Sequence, residues 1–505
     1  MSLSTYSSEF VRRRMLACLF GLSCLTAPIA FGQPLAGLLD PAFDPDSGTK
    51  TVPLADNVVY GVVAQPNGQV VIGGSFTTYD DVPAGSLARL NVDGTLDANF
   101  NKDGAGVAGG AGVYPNGLKR QPDGKFLICG PFLSYNGVDR YGSARVNANG
   151  SLDTTFDTGV GGGLTANVSG ARTLCLDLQA NGQVVYGGDF VAFNDDVNHV
   201  RLARVNANGS LDKTFNPSVD ATVRDVTVQP DQKILVCGGF ANVNGVTRNY
   251  IARLNSDGSL DTSFDPGIGA AGGLMYAMTL QPDGKILAVG TFSEYGGQPR
   301  ANIVRINPNG SLDASFDPGV GIGITGVELR SILLQPDGKM LIGGTFPMIG
   351  DYPISGFARL NANGTIDPTF DPGLGITTSV STVWRFAYQL GETNNFGPVT
   401  NRVYMVGGFS GLNEKPQNRI ARIILGDGTA AAGVTPPARP TLSIAYSGGN
   451  VSLSWPVTPE IFILQSEANL DNTWLPVTAE VVITNGRNVV TLPANAGSRY
   501  YRLKY

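Results

Sequence analysis

The residues of this chain that could do chemistry are few and scattered. One histidine, His199, stands among 505 residues, beside Asp195 and Asp196. With a serine it could supply the base of a nucleophile–base–acid set. No G-x-S-x-G elbow accompanies it, so an exposed loop position is the plainer reading. The carboxylate pair Asp80-Asp81 could serve glycosidic or lyase chemistry, where two acids share the work; a solvated loop tip explains it more simply. The phrase N-x-[DN]-G-x-[LI]-D, as in Asn91…Asp93-Gly94…Asp97, offers three oxygen side chains where calcium wants roughly six to eight ligands. Gly94 there suits the left-handed position of a hairpin, so a turn is expected. Gly104–Gly112 and Gly159–Gly163 precede no helix, which makes them flexible connections rather than phosphate loops. Metal sites and acid–base devices built on imidazole have almost no material, and no metal or cofactor is expected.

Composition narrows the partners. Net charge is −6 with 35 Lys+Arg, and no basic stripe points to nucleic acid. Cys129 and Cys237 occupy one repeat position and Cys175 an apolar stretch. Equivalent positions in different repeats lie beyond disulfide reach, so all three are expected as small buried apolar residues.

Whatever the site, a repeat of about fifty-five residues must position it. L-D-x-x-F recurs at Phe43, Phe100, Phe156, Phe215, Phe264, Phe316 and Phe370. The phrase x-G-x-F ends at Phe76, Phe132, Phe190, Phe240, Phe292, Phe346 and Phe409. An A-R-[LVI]-N-like phrase carries Arg89, Arg145, Arg204, Arg253, Arg305, Arg359 and Arg422. The copy at 221–264 is the clearest. Val223–Gln229 alternates as a half-buried strand. Pro230–Lys233 is a tight turn, Ile234–Phe240 an apolar core strand, and Tyr250–Asn255 a third strand. Ser256-Asp257-Gly258 turns the chain into Ser259–Phe264. Four short antiparallel strands with no helical period between copies make one propeller blade. High Gly (67) and Pro (31) fit many short strands.

The two ends are incomplete in complementary ways: the first L-D-x-x-F stands alone, and no such phrase follows the last A-R. Seven whole units exist only if the ends join, which predicts an all-β, seven-bladed propeller closed by Leu39–Phe43 pairing with Arg419–Leu425. The recurring Arg and Asp, such as Arg253 with Asp261, are expected as structural ion pairs, because catalysis needs one site and not seven.

Strand alternation puts the repeated P-D-G-K and N-x-[DN]-G turns on one face and the varied loops on the other. Varied loops on a rigid ring are where binding is expected. Tyr79, Tyr135, Arg140, His199, Arg248, Tyr295, Arg300 and Tyr352 lie there and form the expected contact surface for an extracellular glycan or protein.

The Q-P-D-G-K, G-G-x-F and A-R-L-N-x-D-G-x-L-D-x-x-F-D phrases together resemble the bacterial delta-sixty repeat family over roughly Leu38 to Asp427. Cys129, Ala180 and Gln389–Glu392 depart from that pattern, and Asn394–Thr400 reads as an insertion in the last hairpin. The resemblance implies a β-propeller of an extracytoplasmic bacterial protein, with no established activity.

Arg12–Arg14 before Met15–Leu25 reads as a secretory signal over 1–32, with cleavage after Gly32. The apolar run is too short to span a bilayer. The Ala/Gly/Pro-rich stretch 429–440 reads as a linker after a propeller of residues 33–428. Runs of alternating residues with Trp455 and Trp474 predict a small β-sandwich over 441–505. Ser454-Trp455-Pro456, Leu464-Gln465-Ser466 and Tyr501-Arg502-Leu503 resemble a C-terminal module of secreted proteins of verrucomicrobia-like bacteria, which implies an accessory or surface-attachment role. The expectation is an exported, monomeric, non-catalytic binding protein. A propeller hydrolase or lyase acting on extracellular polysaccharide, or a structural spacer at the envelope, are the other readings.

Overall fold

The computed structural model describes residues 36–40, 42–43, 55–102, 104–109, 115–162, 172–319, 327–349, 354–373, 375–376, 382–389, 401–413, 415–417 and 419–426, and in the C-terminal part 442–447, 450–456, 463–467, 475–476, 481–484, 487–493 and 500–504. The segment 1–32, Tyr352, the stretch 429–440 and Trp474 lie outside them. The described residues are all-β, and none of their segments is a helix able to cross a membrane.

Each repeat builds one three-stranded antiparallel sheet of propeller type. In the copy read most clearly the inner strand is Val223–Val228, the middle Ile234–Gly238 and the outer Ile251–Leu254. The middle strand is buried throughout, because sheets pack against both of its faces, and a continuous apolar run is what such a position selects. The turn from inner to middle strand closes with Gln229 N–H on the Lys233 carbonyl at 2.8 Å. Gln232 holds φ +67° there, where the sister copy has Gly284 at +81°, so the P-D-G-K glycine answers a left-handed backbone.

The fourth strand is a correction. L-D-x-x-F makes one bridge, Leu254 to Leu260, and then turns. The Asp261 side chain accepts from Ser263 N–H at 3.0 Å and Ser263 Oγ at 2.7 Å, and Phe264 N–H closes on the Asp261 carbonyl at 3.2 Å. An aspartate that satisfies its own following amides competes with a sheet ladder. The strand stops there, and Phe264 drops into the core.

The same Asp terminates a staple between repeats. Arg253 Nε meets Asp261 at 2.6 Å, its Nη1 donates to the Pro308 carbonyl of the next repeat at 2.7 Å, and its guanidinium lies 5.0 Å above the Phe264 ring. Arg89–Asp97, Arg145–Asp153, Arg305–Asp313 and Arg359–Asp367 repeat the arrangement at 2.6 to 2.8 Å. Calcium would need these oxygens, and the Asp93 carboxylate is likewise taken up by Thr95.

At the two ends of the repeat array Leu39 pairs with Ile423. Gly37 N–H donates to Ile424 O at 2.7 Å, Asp40 N–H to Arg422 O at 2.8 Å, and Ile424 N–H to Leu38 O at 2.9 Å. Asp40 takes the staple's acidic place against Arg422 Nε at 2.8 Å, and Arg422 Nη1 reaches the Val92 carbonyl of the first repeat at 2.6 Å. One buried cluster holds Phe43, Val59 and Ile72 together with Tyr404, Val406 and Ile420 of the last repeat.

The staples give a pH prediction. Burial alone would raise the Asp367 carboxyl; hydrogen bonds from Lys339 and Thr369 and the charge of Arg359 outweigh it and hold the group at about 2, below the ordinary 3.8. Asp153, Asp261 and Asp313 are also held low against burial, chiefly by Lys125, Lys233 and Lys285. A depressed carboxylate stabilises the fold above its unfolded pKa and loses that contribution as pH falls through the folded one. The melting temperature is therefore expected to be level from pH 7 to 5 and to fall steeply between about pH 4 and pH 2. Calorimetry showing no steepening there would contradict it.

In the C-terminal part Ser443–Ser447, Asn450–Pro456, Arg487–Pro493 and Val482–Thr484 form a four-stranded sheet, and Leu475–Pro476, Ile463–Glu467 and Tyr500–Lys504 a three-stranded one. Leu464 of the second shares a core with Leu453, Trp455 and Val490 of the first.

Candidate functional site

The inner strands carry an irregularity that alternation alone does not reveal. Their ladders to the middle strands slip between Val59 and Gly61, Thr173 and Cys175, Val223 and Asp225, Met275 and Ala277, Leu329 and Ser331, and Val383 and Arg385. The residue left out each time is Tyr60, Leu174, Arg224, Tyr276, Arg330 or Trp384. A bulge frees a residue from the ladder and re-aims its side chain. These six, with Asn116 just before the inner strand Gly117–Arg120 and with Arg385, line a single cavity of about 80 Å3 that opens to solvent. It lies at the N-terminal ends of the inner strands, the end from which the varied loops leave.

Cations and rings alternate along the cavity wall. Arg224 lies 5.1 Å from the Tyr276 centroid, and Arg330 lies 4.1 Å from the same ring and 4.8 Å from Trp384. Trp384 meets Tyr60 edge-on at 5.2 Å and 66°. Each cation–π contact contributes about 0.5–2 kcal/mol and fixes the guanidinium it holds. Arg330 also pairs with Glu328. The side chains of Arg224 and Arg385 make no ion pair or hydrogen bond among the described residues. Burial presses the Arg224 guanidinium below its ordinary pKa.

Just below this layer sits Asp225. Burial raises its carboxyl, and the Arg385 charge opposes the rise. Its oxygens accept from Val226 N–H at 3.0 Å and Met278 N–H at 2.8 Å, tying its strand to the next. Asp177 does the same with Val228 N–H at 2.7 Å and pairs with Lys119. Nearby Cys129, Cys175 and Cys237 are buried free thiols; burial pushes Cys129 up to about 12, far from a reactive thiolate. The layer offers positive charge, ring faces and one amide, and these can bind and orient a ligand.

Among the described loop residues expected to form the contact surface, all but Arg300 are buried. Tyr79, Tyr135 and Tyr295 are fully buried, and their hydroxyls donate to the carbonyls of Gly94, Gly150 and Gly310 at 2.8, 2.6 and 2.7 Å. The varied loops are short hairpins, such as Ser134–Tyr135 with Val138–Asp139, whose single apolar residue plugs the sheet beneath. Asp80 and Asp81 hold left-handed positions of one such turn, at φ +50° and +62°. Arg140, Arg248 and Arg300 share one repeat position and each donates to the carbonyl before it, at 2.7, 2.9 and 2.7 Å. His199 is 2% exposed, its Nδ1 3.4 Å from Asp196, so it is a packed loop residue and not a solvent-facing one. None of these residues belongs to the cavity lining, and Tyr352 lies outside the described residues.

The sequence does hold traces of the real layer. Two non-alternating residues stand together in Val223-Arg224-Asp225-Val226, in Leu329-Arg330-Ser331-Ile332 and in Val383-Trp384-Arg385-Phe386, which is what a bulge leaves behind.

A family model described as "Domain of unknown function (DUF5122) beta-propeller" matches residues 65–100, 121–156, 179–215, 229–264, 281–316 and 335–370. These matches place the repeats with a β-propeller family. No curated protein matches the chain in sequence. Among solved structures the chain is similar to a gluconolactonase from Xanthomonas campestris, at 16% identity over 62% of this chain and 96% of that one, TM-score 0.34. It is also similar to Sqt1 of Saccharomyces cerevisiae, at 9% identity over 75% and 98%, TM-score 0.35. A third is extracellular domains 1–2 of Drosophila Semaphorin 1a, at 10% identity over 89% of each, TM-score 0.29.

Proposed function

We propose that this chain is an exported, non-catalytic binding protein whose extracellular glycan or protein ligand seats in the cavity at the inner-strand ends. In this reading the repeats are delta-sixty repeats forming a closed ring of seven blades. Residues 37–40 complete the last blade, and the two C-terminal sheets pack as a sandwich. The observation that carries it is the bulge: one side chain on each of six inner strands, out of ladder register, aimed at a common space. Six bulges at one position exceed what strand pairing needs, and bulges re-aim side chains at functional sites. The contacts of Arg422 and Leu39 with the opposite end of the array support the ring. Binding fits better than turnover because the lining lacks a nucleophile beside a base.

An array of glycans and secreted proteins finds the ligand. The Arg330→Ala/Trp384→Ala double variant is then expected to bind it roughly tenfold more weakly or worse, since such central anchors each contribute about 1–2 kcal/mol or more. Undiminished binding moves the site elsewhere.

A further inference from the structure

We propose that the cavity takes an acidic saccharide, with a uronate carboxylate between Arg224, Arg330 and Arg385 and the sugar ring against Trp384 and Tyr60. This rests on the cavity being the binding site.

The lining carries three guanidinium groups and no carboxylate. Glu328 pairs with Arg330, and Asp225 faces Arg385 from below, so three guanidinium groups meet two carboxylates. The Nε atoms of Arg224 and Arg330 are buried and lack a hydrogen-bond acceptor. A buried donor without an acceptor is unfavourable, and a carboxylate is the acceptor whose two oxygens match a guanidinium edge. Stacking on Tyr276 and Trp384 holds the guanidinium of Arg330 before any ligand arrives, and stacking on Tyr276 does so for Arg224. The ordering of those side chains is thus already met in the free protein.

The space says what else the ligand must be. The cavity of about 80 Å3 has room for roughly five to eight waters, more than a bare inorganic anion displaces. Its remaining wall is Tyr60, Trp384, Leu174 and the amide of Asn116. Ring faces suit the C–H faces of a pyranose, and an amide suits its hydroxyls. A long polyanion fits poorly, because the whole chain carries a net charge of −6 and would repel it at a distance. One acidic residue or the end of an acidic chain answers both the local and the overall charge.

The test is calorimetric titration of the full chain with digalacturonate, its neutral counterpart galactobiose, and sodium acetate. Digalacturonate is expected to bind roughly tenfold or more tightly than either of the others, the difference of a charge-assisted pair. The Arg224→Gln/Arg385→Gln variant should bring digalacturonate down to the level of galactobiose, with its melting temperature checked alongside. Equal binding of the charged and neutral sugars overturns the proposal, as does acetate binding as tightly as digalacturonate. If Trp384→Ala still abolishes binding in either case, the cavity reading stands and the acidic assignment alone fails. No binding of either saccharide overturns it too, while array ligands lost on Arg330→Ala/Trp384→Ala would keep the cavity as the site. The comparison of charged with neutral sugar on the unaltered protein needs no variant to fold.

Discussion

Removing residues 36–43 is expected to lower the stability of the repeat array by at least about 5 kcal/mol, enough to leave much of it unfolded or aggregated. The segment contributes three backbone hydrogen bonds to the last repeat, each worth about 1 kcal/mol net. Phe43 is 3% exposed and edge-on to Tyr404 at 5.3 Å; its burial is worth about 2 kcal/mol. The largest effect lies on the partner. Arg422, 2% exposed, loses Asp40, and a buried charge stripped of its counter-ion costs about 3–5 kcal/mol. Arg402, 2.5 Å from the same carboxylate, loses it as well. Freed edges of the Ile420–Gly426 strand would then template association between copies. Melting curves and size-exclusion profiles read both effects. A deletion variant that melts within a degree of the parent and stays monodisperse would show that these contacts carry no weight.

Asp367→Ala is expected to destabilise the array by about 3–5 kcal/mol, more than truncating a surface carboxylate. Asp367 receives Arg359 Nε at 2.6 Å, Lys339 Nζ at 2.8 Å, and Thr369 N–H and Oγ1 at 2.9 and 2.7 Å. Without it two cations face each other in the space between repeats, and the turn that ends the outer strand loses its cap. Arg359 also spans to the Leu425 carbonyl at 2.9 Å and covers the Phe370 ring at 4.7 Å, so the loss reaches the neighbouring sheet. The double variant Arg359→Met/Asp367→Leu should recover much of the stability, because removing both charges also removes their desolvation. Urea unfolding of the parent, the single and the double variant decides it. A single variant within 1 kcal/mol of the parent would mean that the staple is ornamental, on the scale of an exposed pair.

The strands, the tight turns and the Arg–Asp pairing were legible because each depends on residues close in sequence or at a fixed repeat spacing. Ile234–Gly238 is an apolar run in any context, and Gly258 at φ +90° is demanded by its own turn. Arg253 finds Asp261 eight residues on across one hairpin. Even the long partnership of Leu39 with Ile423 could be read, since an unfinished repeat at one end names its complement at the other. The fate of L-D-x-x-F could not be read from pattern alone, because the strand-like run is stopped by the aspartate's own side chain.

The sites went the other way. Tyr79, Tyr135 and Tyr295 look like contact residues by type and by loop, yet each sits just ahead of a turn, at a place where other repeats hold Phe193, Val243 or Leu412, all buried. Only packing shows that the hairpin folds back and seals its sheet with that side chain. Arg224, Tyr276, Arg330 and Trp384 lie more than fifty residues apart in sequence. A slip of one residue in each ladder turns them off the sheet, and the meeting of separate inner strands brings them within stacking distance. Local residue preferences thus determine the strands and turns of this chain, whereas its candidate site exists only through register and convergence, which no single repeat contains.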